Sequence, residues 1–335
     1  LPYMFDKTID FLAIGDITTD AFIRIKEASV HCKVDTEACE LTMKFGDKVP
    51  FEYVKIIKAV GNSANAAVAI SRLGIRSALI AQIGDDQNGK DCIAGLIKEK
   101  VDTRYVKTHK GQPTNYHFVL WYDVDRTILI NHVEYDYKLP VIKKAPKWIY
   151  LSSLASNTKD YHGEISDYLI KNPEVKLAFQ PGTFQIKLGI KELKDIYKRT
   201  EVFICNVEEA QRILHNETRD VKVLLAELHA NGPKIVLITD GPKGSYMLDG
   251  EHFYFMPIYP DPKPPVERTG CGDSFSATFV AALMYGKSPL EALVWAPVSP
   301  MSVIQYVGAQ EGLITHDQLE WWLQQAPEEY KPREI

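Results

Sequence analysis

Two kinds of apolar run alternate along this chain. One kind is short and dense in branched or aromatic residues: IDFLAI at 9–14, WIYL at 148–151, VFIC at 202–205 and IVLI at 235–238, each delivered into a polar or glycine-bearing turn. Runs of that length, bounded by turn residues, mark strands buried on both faces. The other kind is helical, as in AAVAISRLG at 66–74, where Gly74 stands at the C-cap position. The block SALIAQIGDDQNGKDCIAGLIKEKVD from Ser77 repeats the scheme of strand, acidic turn and helix. Further helices are expected over 161–171, 191–198, 207–215 and 220–231, and the last third turns helical over 273–286, 289–305 and 315–325. Pro297 and Pro300 should kink the middle one of these three. Steady alternation of strand and helix predicts a mostly parallel sheet covered on both faces, an α/β/α sandwich.

Two stretches break that rhythm. Residues 21–58 contain AFIRI, CELTMKF and FEYVKII with no helix of normal length between them, and PTNYHFVLWYDVDRTILINHV at 113–133 reads as a hairpin around Asp123–Asp125 with rings on both arms. The expected organisation is a large α/β domain of residues 1–19, 59–111 and 134–335, with a small β-sheet lid from 20–58 and 112–133. The lid rings Tyr116, His117, Phe118, Trp121, Tyr122, Tyr135 and Tyr137 are expected to pack across strands or at a dimer interface more often than on a ligand.

The bulk numbers narrow the function. At 335 residues the chain exceeds the usual size of a single core, which suits one large domain with an appendage. A net charge of −5, without a Lys/Arg block, argues against nucleic acid as the main partner. No apolar run is long enough to span a membrane, and LPYMFDKTIDFLAIGD lacks the pattern of a secretory signal, so a cytoplasmic protein is expected. Cys32, Cys39, Cys92, Cys205 and Cys271 are few and scattered, which fits reduced thiols better than a disulfide framework. Cys32 and Cys39 would be half of a metal site, but no Cys/His pair at useful spacing completes it.

In open α/β sheets ligands bind beyond the carboxyl ends of the strands. The turns there are Gly15-Asp16 to Asp20, Gly84-Asp85-Asp86, Gln180-Pro181-Gly182, Asn206 to Glu209, and Thr239 to Gly244. The most telling stretch is VERTGCGDSFSATFVAAL at 266–283. The first turn of a helix has unpaired N–H groups and binds anions, and Gly270 and Gly272 leave the backbone of 270–272 unobstructed. Asp273 at the edge of that nest is placed to take a proton from a hydroxyl attacking a bound phosphate. Its plainer reading is a helix cap. Asn206 and Glu209, three apart at a helix start, suit water-mediated Mg²⁺; their plainer reading is a capping box. TDGPKG at 239–244 lacks the P-loop pattern and fits either a nucleotide contact or a hairpin turn.

Taken in order, ERTGCGD at 267–273, AVGNSANAAVAISRLG at 59–74, IGDDQNGK, PTNYHFVLWYDVDRTIL, NVEE and ITDGPKG resemble the landmarks of the ribokinase-like (PfkB) carbohydrate kinases over essentially the whole chain. The resemblance implies the ribokinase-like three-layer fold with a lid that often pairs two subunits, hence a homodimer. It further implies ATP with Mg²⁺, a monovalent cation such as K⁺ as a further candidate, and phosphorylation of a hydroxymethyl group on a sugar, nucleoside or related alcohol. Carried over, Asp273 becomes the general base, and the N–H groups of Gly270, Cys271 and Gly272 the hole for the migrating phosphoryl. Asp16, Asp20, Gly61 and Asn65 become ligands of the acceptor hydroxyls. Asn206 and Glu209 serve magnesium and phosphates, and Thr239, Gly241 and Gly244 line the nucleotide site.

The chain departs from the family signature where Glu267, Arg268 and Cys271 replace Asp, Thr and Ala, and where Val60 and Ser63 replace glycines of the substrate motif. Arg126 and Arg268 are candidates to meet an acidic group on a sugar, although Arg126, next to Asp125 in the hairpin, reads first as a solvated turn residue. The alternatives are a nucleoside kinase, if lid rings face the site, and a catalytically silent binder, against which the presence of a base with two flanking glycines speaks. The absence of G-x-G-x-x-G after the first strand, and of an acidic ribose ligand at the matching distance, speaks against a dinucleotide oxidoreductase.

Overall fold

The computed structural model describes residues 8–32, 39–123 and 125–335. In chain order the first elements are β1 (Phe11–Ile14), β2 (Thr18–Ile25), β3 (Ser29–Cys32), β4 (Cys39–Thr42), β5 (Phe51–Val60), α1 (Asn62–Arg72), β6 (Ser77–Gly84), α2 (Gln87–Lys98), β7 (Val106–His109), β8 (Tyr116–Tyr122) and β9 (Asp125–Leu129). Next come β10 (Trp148–Leu151), α3 (Lys159–Lys171), β11 (Lys176–Phe179), α4 (Thr183–Glu192), α5 (Lys194–Arg199), β12 (Thr200–Asn206), α6 (Val207–Leu214), α7 (Val221–Ala230) and β13 (Ile235–Thr239). The chain closes with β14 (Ser245–Leu248), β15 (Phe253–Met256), α8 (Cys271–Met284), α9 (Pro289–Trp295), α10 (Val298–Val303), α11 (His316–Gln324) and β16 (Arg333–Glu334).

Ten strands form one sheet in the order β16-β15-β14-β13-β12-β11-β10-β1-β6-β7. Seven of them, from β7 to β13, are parallel, and β14, β15 and β16 continue the sheet antiparallel at one edge. Because side chains alternate across a strand, neighbours feed opposite cores. Phe11, Ala13, Leu79, Tyr150 and Ile204 pack with α1, α8, α9 and α10, while Leu12, Ile14, Ile80, Leu151 and Phe203 pack with α3, α5, α6 and α7. The expected α/β/α sandwich with a mostly parallel sheet is what these residues build.

A separate four-stranded sheet, in the order β5-β2-β8-β9, leaves the large sheet after β1. Its β8 and β9 pair antiparallel from Phe118↔Leu129 to Tyr122↔Asp125, the hairpin expected around Asp123–Asp125, whose residue 124 lies outside the described residues. β3 and β4 form a short two-stranded ribbon.

Three expectations need correction. The single helix over 289–305 is two, because Pro297 closes α9 and opens α10, with Pro300 tolerated in the first turn of the second. Residues 183–192, left unassigned in sequence, are helical with a break at Gly189 (φ 80°). Cys39 is disulfide-bonded, against the expectation of five reduced thiols, and the ribbon register sets residue 32 opposite it. Cys92, Cys205 and Cys271 are free. Among the described residues no helix is long and apolar enough to cross a membrane.

Candidate active site

The first turn of α8 is built for close approach. Gly270 caps it in the left-handed region (φ 83°), and a Cβ there would lie 2.3 Å from the Ala309 Cβ, so only glycine fits. The turn before it is held by Glu267, wholly buried, which accepts the Thr269 N–H (2.8 Å) and hydroxyl (2.6 Å). No side chain caps α8, and among the described residues no acceptor pairs with the N–H of Gly270, Cys271, Gly272 or Asp273. These donors are therefore unpaired within the protein, at the positive end of a buried helix.

Asp273 sits beside them and is not a cap. It is only 7% exposed, and three side-chain amides donate to it: Asn62 (2.8 Å) and Gln180 (3.2 Å) to Oδ1, and Asn65 (2.8 Å) to Oδ2. Burial pushes its carboxyl up from the ordinary value, and the three amides pull it part of the way back. The result is a fixed, partly desolvated carboxylate with a raised proton affinity, the property a general base requires. Cys271 behaves differently. Burial pushes its thiol up to about 12, so it stays protonated despite the helix end.

These groups open onto one cleft of about 330 Å³, into which Gly270, Gly272, Asp273, Asn206, Glu209, Thr239, Asp20, Gly61 and Asn65 all project. Asn206 and Glu209 form the capping box that was the plainer reading: the Asn206 Oδ1 accepts the Glu209 N–H (2.7 Å), and the Glu209 Oε2 accepts the Asn206 N–H (2.9 Å). Burial also raises the Glu209 carboxyl, with the charge of Asp273 adding to it.

At the other end of the cleft two imidazoles face each other, His117 from β8 and His132 from the segment after β9, with ring centroids 5.1 Å apart. The Nδ1 of His132 is 2.7 Å from the Asp16 Oδ2, and the Nδ1 of His117 is 3.3 Å from the Asp20 Oδ1. Tyr137 donates to the remaining Asp16 oxygen (2.7 Å), so both oxygens of Asp16 are taken by protein groups. Among the described residues the buried His117 Nε2 has no hydrogen-bond partner. Phe184 packs edge-on against His132. Arg126, from β9, enters the same cleft and places its Nε 3.5 Å from Glu267.

The arrangement is a buried carboxylate beside a helix start whose first N–H groups have no partner among the described residues, at the carboxyl ends of β11, β12 and β13. The profile of the pfkB family carbohydrate kinases matches residues 57–316. That is well over half of the chain. The chain belongs to the pfkB family of carbohydrate kinases. It is 26% identical to the 5-dehydro-2-deoxygluconokinase of Geobacillus kaustophilus, covering 97% of this chain and 96% of that one. It is also 26% identical to the ribokinase of Bacillus subtilis, over 78% of this chain and 86% of the relative. Among solved structures, Arabidopsis thaliana ribokinase complexed with ribose and ATP superposes with a TM-score of 0.74 at 21% identity, covering 95% and 99% of the two chains. The nucleoside kinase of Methanocaldococcus jannaschii superposes at 0.75 with 16% identity, covering 95% and 99%. These two likenesses show the ribokinase fold. The protein is accordingly a phosphotransferase with an alcohol acceptor.

Not every residue expected in the site of this pfkB kinase reaches it. Gly241 and Gly244 do not line the cleft; they form the tight turn joining β13 to β14, where Gly244 (φ 105°) lies against the Met256 carbonyl. Asp16 and Cys271 are not among the residues that line the cleft. Asp86 caps α2 and binds Thr114. Of the lid rings only His117 lines the cleft; Tyr116 and Phe118 pack on each other, Trp121 packs on Tyr53, and Tyr135 on Tyr137. Sequence reasoning missed Asn62, Gln180 and His132. Gln180 carried a signal, since it stands in a strand-end turn, and Asn62 sits between two residues of the substrate motif. His132 carried none.

Proposed function

We propose that this kinase transfers the γ-phosphoryl group of ATP, with Mg²⁺, to a hydroxymethyl group of a sugar. The observation that carries the reading is Asp273, a buried carboxylate held by three amides at the rim of the free N–H nest of α8. In this reading Asp273 accepts the hydroxyl proton as the oxygen attacks. The N–H groups of Gly270, Cys271 and Gly272 meet the charge on the migrating group without having to reorganise. Asn206 and Thr239, at the ends of β12 and β13, lie toward the nucleotide, with the turn of Gly241 and Gly244 behind them. Asp20, Gly61 and Asn62 lie toward the acceptor, and Asp16 acts there through His132.

The two relatives are named as kinases of a deoxygluconate and of ribose, and the ribokinase structure is complexed with ribose and ATP, which supports the same acceptor and donor classes. Mg²⁺ commonly keeps several of its waters and binds through one or two carboxylates and the phosphate oxygens. Glu209 is the carboxylate placed to receive such an ion through water. Magnesium bound there supplies charge neutralisation on the phosphates. Replacing Glu209 by Gln keeps the acceptor oxygen of the capping box and removes the charge. The expected outcome is a higher Mg²⁺ concentration for half-maximal activity; an unchanged titration leaves Glu209 with a capping role alone.

The small sheet closes over the cleft as a lid, since His117, Arg126, Ile128 and Ile130 all reach the cavity from it or its margin. Its other face exposes Val54, Ile56, Phe118 and Leu129, an apolar surface suited to a second copy in a homodimer. The test of the proposed activity is ADP release with ATP and Mg²⁺ over hexoses, pentoses, acidic sugars and nucleosides. Stimulation by sugars above the water background is expected; release that no sugar accelerates contradicts the reading.

A further inference from the structure

One of the three amides on Asp273, that of Asn65, belongs to a chain of hydrogen bonds that begins at a backbone carbonyl. The Gln310 Nε2 lies 2.7 Å from the carbonyl oxygen of Ala59, at the end of lid strand β5, and 2.9 Å from the Asn65 Oδ1. A carbonyl can only accept, so it fixes which end of the Gln310 amide faces it. The second proton of that nitrogen then requires Asn65 to present its oxygen. The Asn65 nitrogen is left facing the Asp273 Oδ2 at 2.8 Å. The backbone around Gln310 is itself anchored: the Arg72 Nη1 donates to the carbonyls of Gln310 (2.8 Å) and Leu313 (2.9 Å), while its Nε and Nη2 grip the Glu99 carboxylate. Lys55 of β5 reaches Val307 and Glu311 in the same loop.

We infer that Gln310 is a positioning residue: it locks the Asn65 amide so that a donor, not an acceptor, faces Asp273, and thereby keeps the buried acid available as a base. Its relevance to catalysis rests on the base role of Asp273 proposed above; the hydrogen-bond logic does not. With the lock removed, Asn65 is free to rotate, and its oxygen facing Asp273 would favour the protonated acid. The other titratable groups that act on Asp273 are Glu209, Tyr150, Cys271 and Arg126, none of which is hydrogen-bonded to Gln310 among the described residues.

The test uses full-length protein labelled with ¹³C at the aspartate carboxyls, the Asp273 resonance being identified by its absence from Asp273→Asn. Gln310→Met matches the size without a donor. Gln310→Leu, also without a donor but with a differently shaped end, guards against a packing failure in the first variant without adding a charge near Asp273. In either folded variant the Asp273 titration midpoint is expected to rise by about one to two pH units, the worth of one charge-assisted hydrogen bond. The acid limb of kcat/KM should follow it, with KM for ATP unchanged. A midpoint that stays at the wild-type position in folded protein overturns the inference. A shifted midpoint together with an Asp273→Asn variant of full activity would instead refute the base role and leave the positioning intact.

Discussion

Replacing Asp273 by Asn is expected to lower turnover by about 10²–10⁴-fold, the usual contribution of a positioned general base, while ATP affinity measured by calorimetry stays at the wild-type level. The substitution keeps the size of the side chain and an oxygen for the surrounding amides, but an amide cannot take the acceptor's proton. The donors Asn62, Asn65 and Gln180 come from α1 and from the end of β11, so the cleft keeps its walls. The sign of the pH dependence follows from burial. Because the carboxyl is raised above its ordinary value, its base form is lost as pH falls through a midpoint higher than that of a solvated aspartate. The acid limb of kcat/KM in the wild type should therefore lie above the usual carboxylate range, and be absent from the residual activity of the variant. Near-normal turnover in Asp273→Asn would remove the base from this residue.

The second large effect separates two glycines that look alike in sequence. Gly270→Ala places a side chain in the left-handed region and drives its Cβ into Ala309. The backbone and packing costs together come to about 2–5 kcal/mol, so a marked fall in Tm is expected along with loss of activity. Gly272 has no such conflict, since a Cβ there meets only the Gln180 Nε2 at 3.6 Å, an ordinary contact. Gly272→Ala should leave Tm nearly unchanged and still reduce turnover, because its methyl group stands at the mouth of the amide nest, next to the amide that donates to Asp273. Thermal melts and ADP-release rates on the two variants check this. Equal activity losses that simply track stability would show that the glycines serve folding alone.

The nest and its acid were legible in sequence because they are local. Gly270, Gly272 and Asp273 lie within four residues of one another, and a helix start has one chemistry wherever it occurs. The parallel strands were legible for the same reason, each being a short apolar run with a turn behind it. β14, β15 and β16 were not, because the first two have four residues each and the last, at the sheet edge, has two, too short to show a period. The partners of Asp273 arrive from residues 62, 65 and 180, and the partner of Asn65 from residue 310; only the folded sheet brings them together. Asp16 shows the opposite case. A carboxylate at a strand end reads as a ligand group, yet Tyr137 and His132 take both its oxygens from a segment more than a hundred residues away. Local pattern identified the chemistry available and could not say which groups would be consumed by their neighbours.

The central claim is that the free amides of α8 hold the migrating phosphoryl group while Asp273 faces the incoming alcohol. A crystal structure with ADP, Mg²⁺ and tetrafluoroaluminate, a planar mimic of that group, tests it most directly. The mimic is expected within ordinary hydrogen-bond distance, about 2.9 Å, of the N–H groups of Gly270 to Gly272, with the Asp273 carboxylate turned toward its far face. A mimic bound elsewhere in the cleft, with those amides still unpaired, would contradict the account.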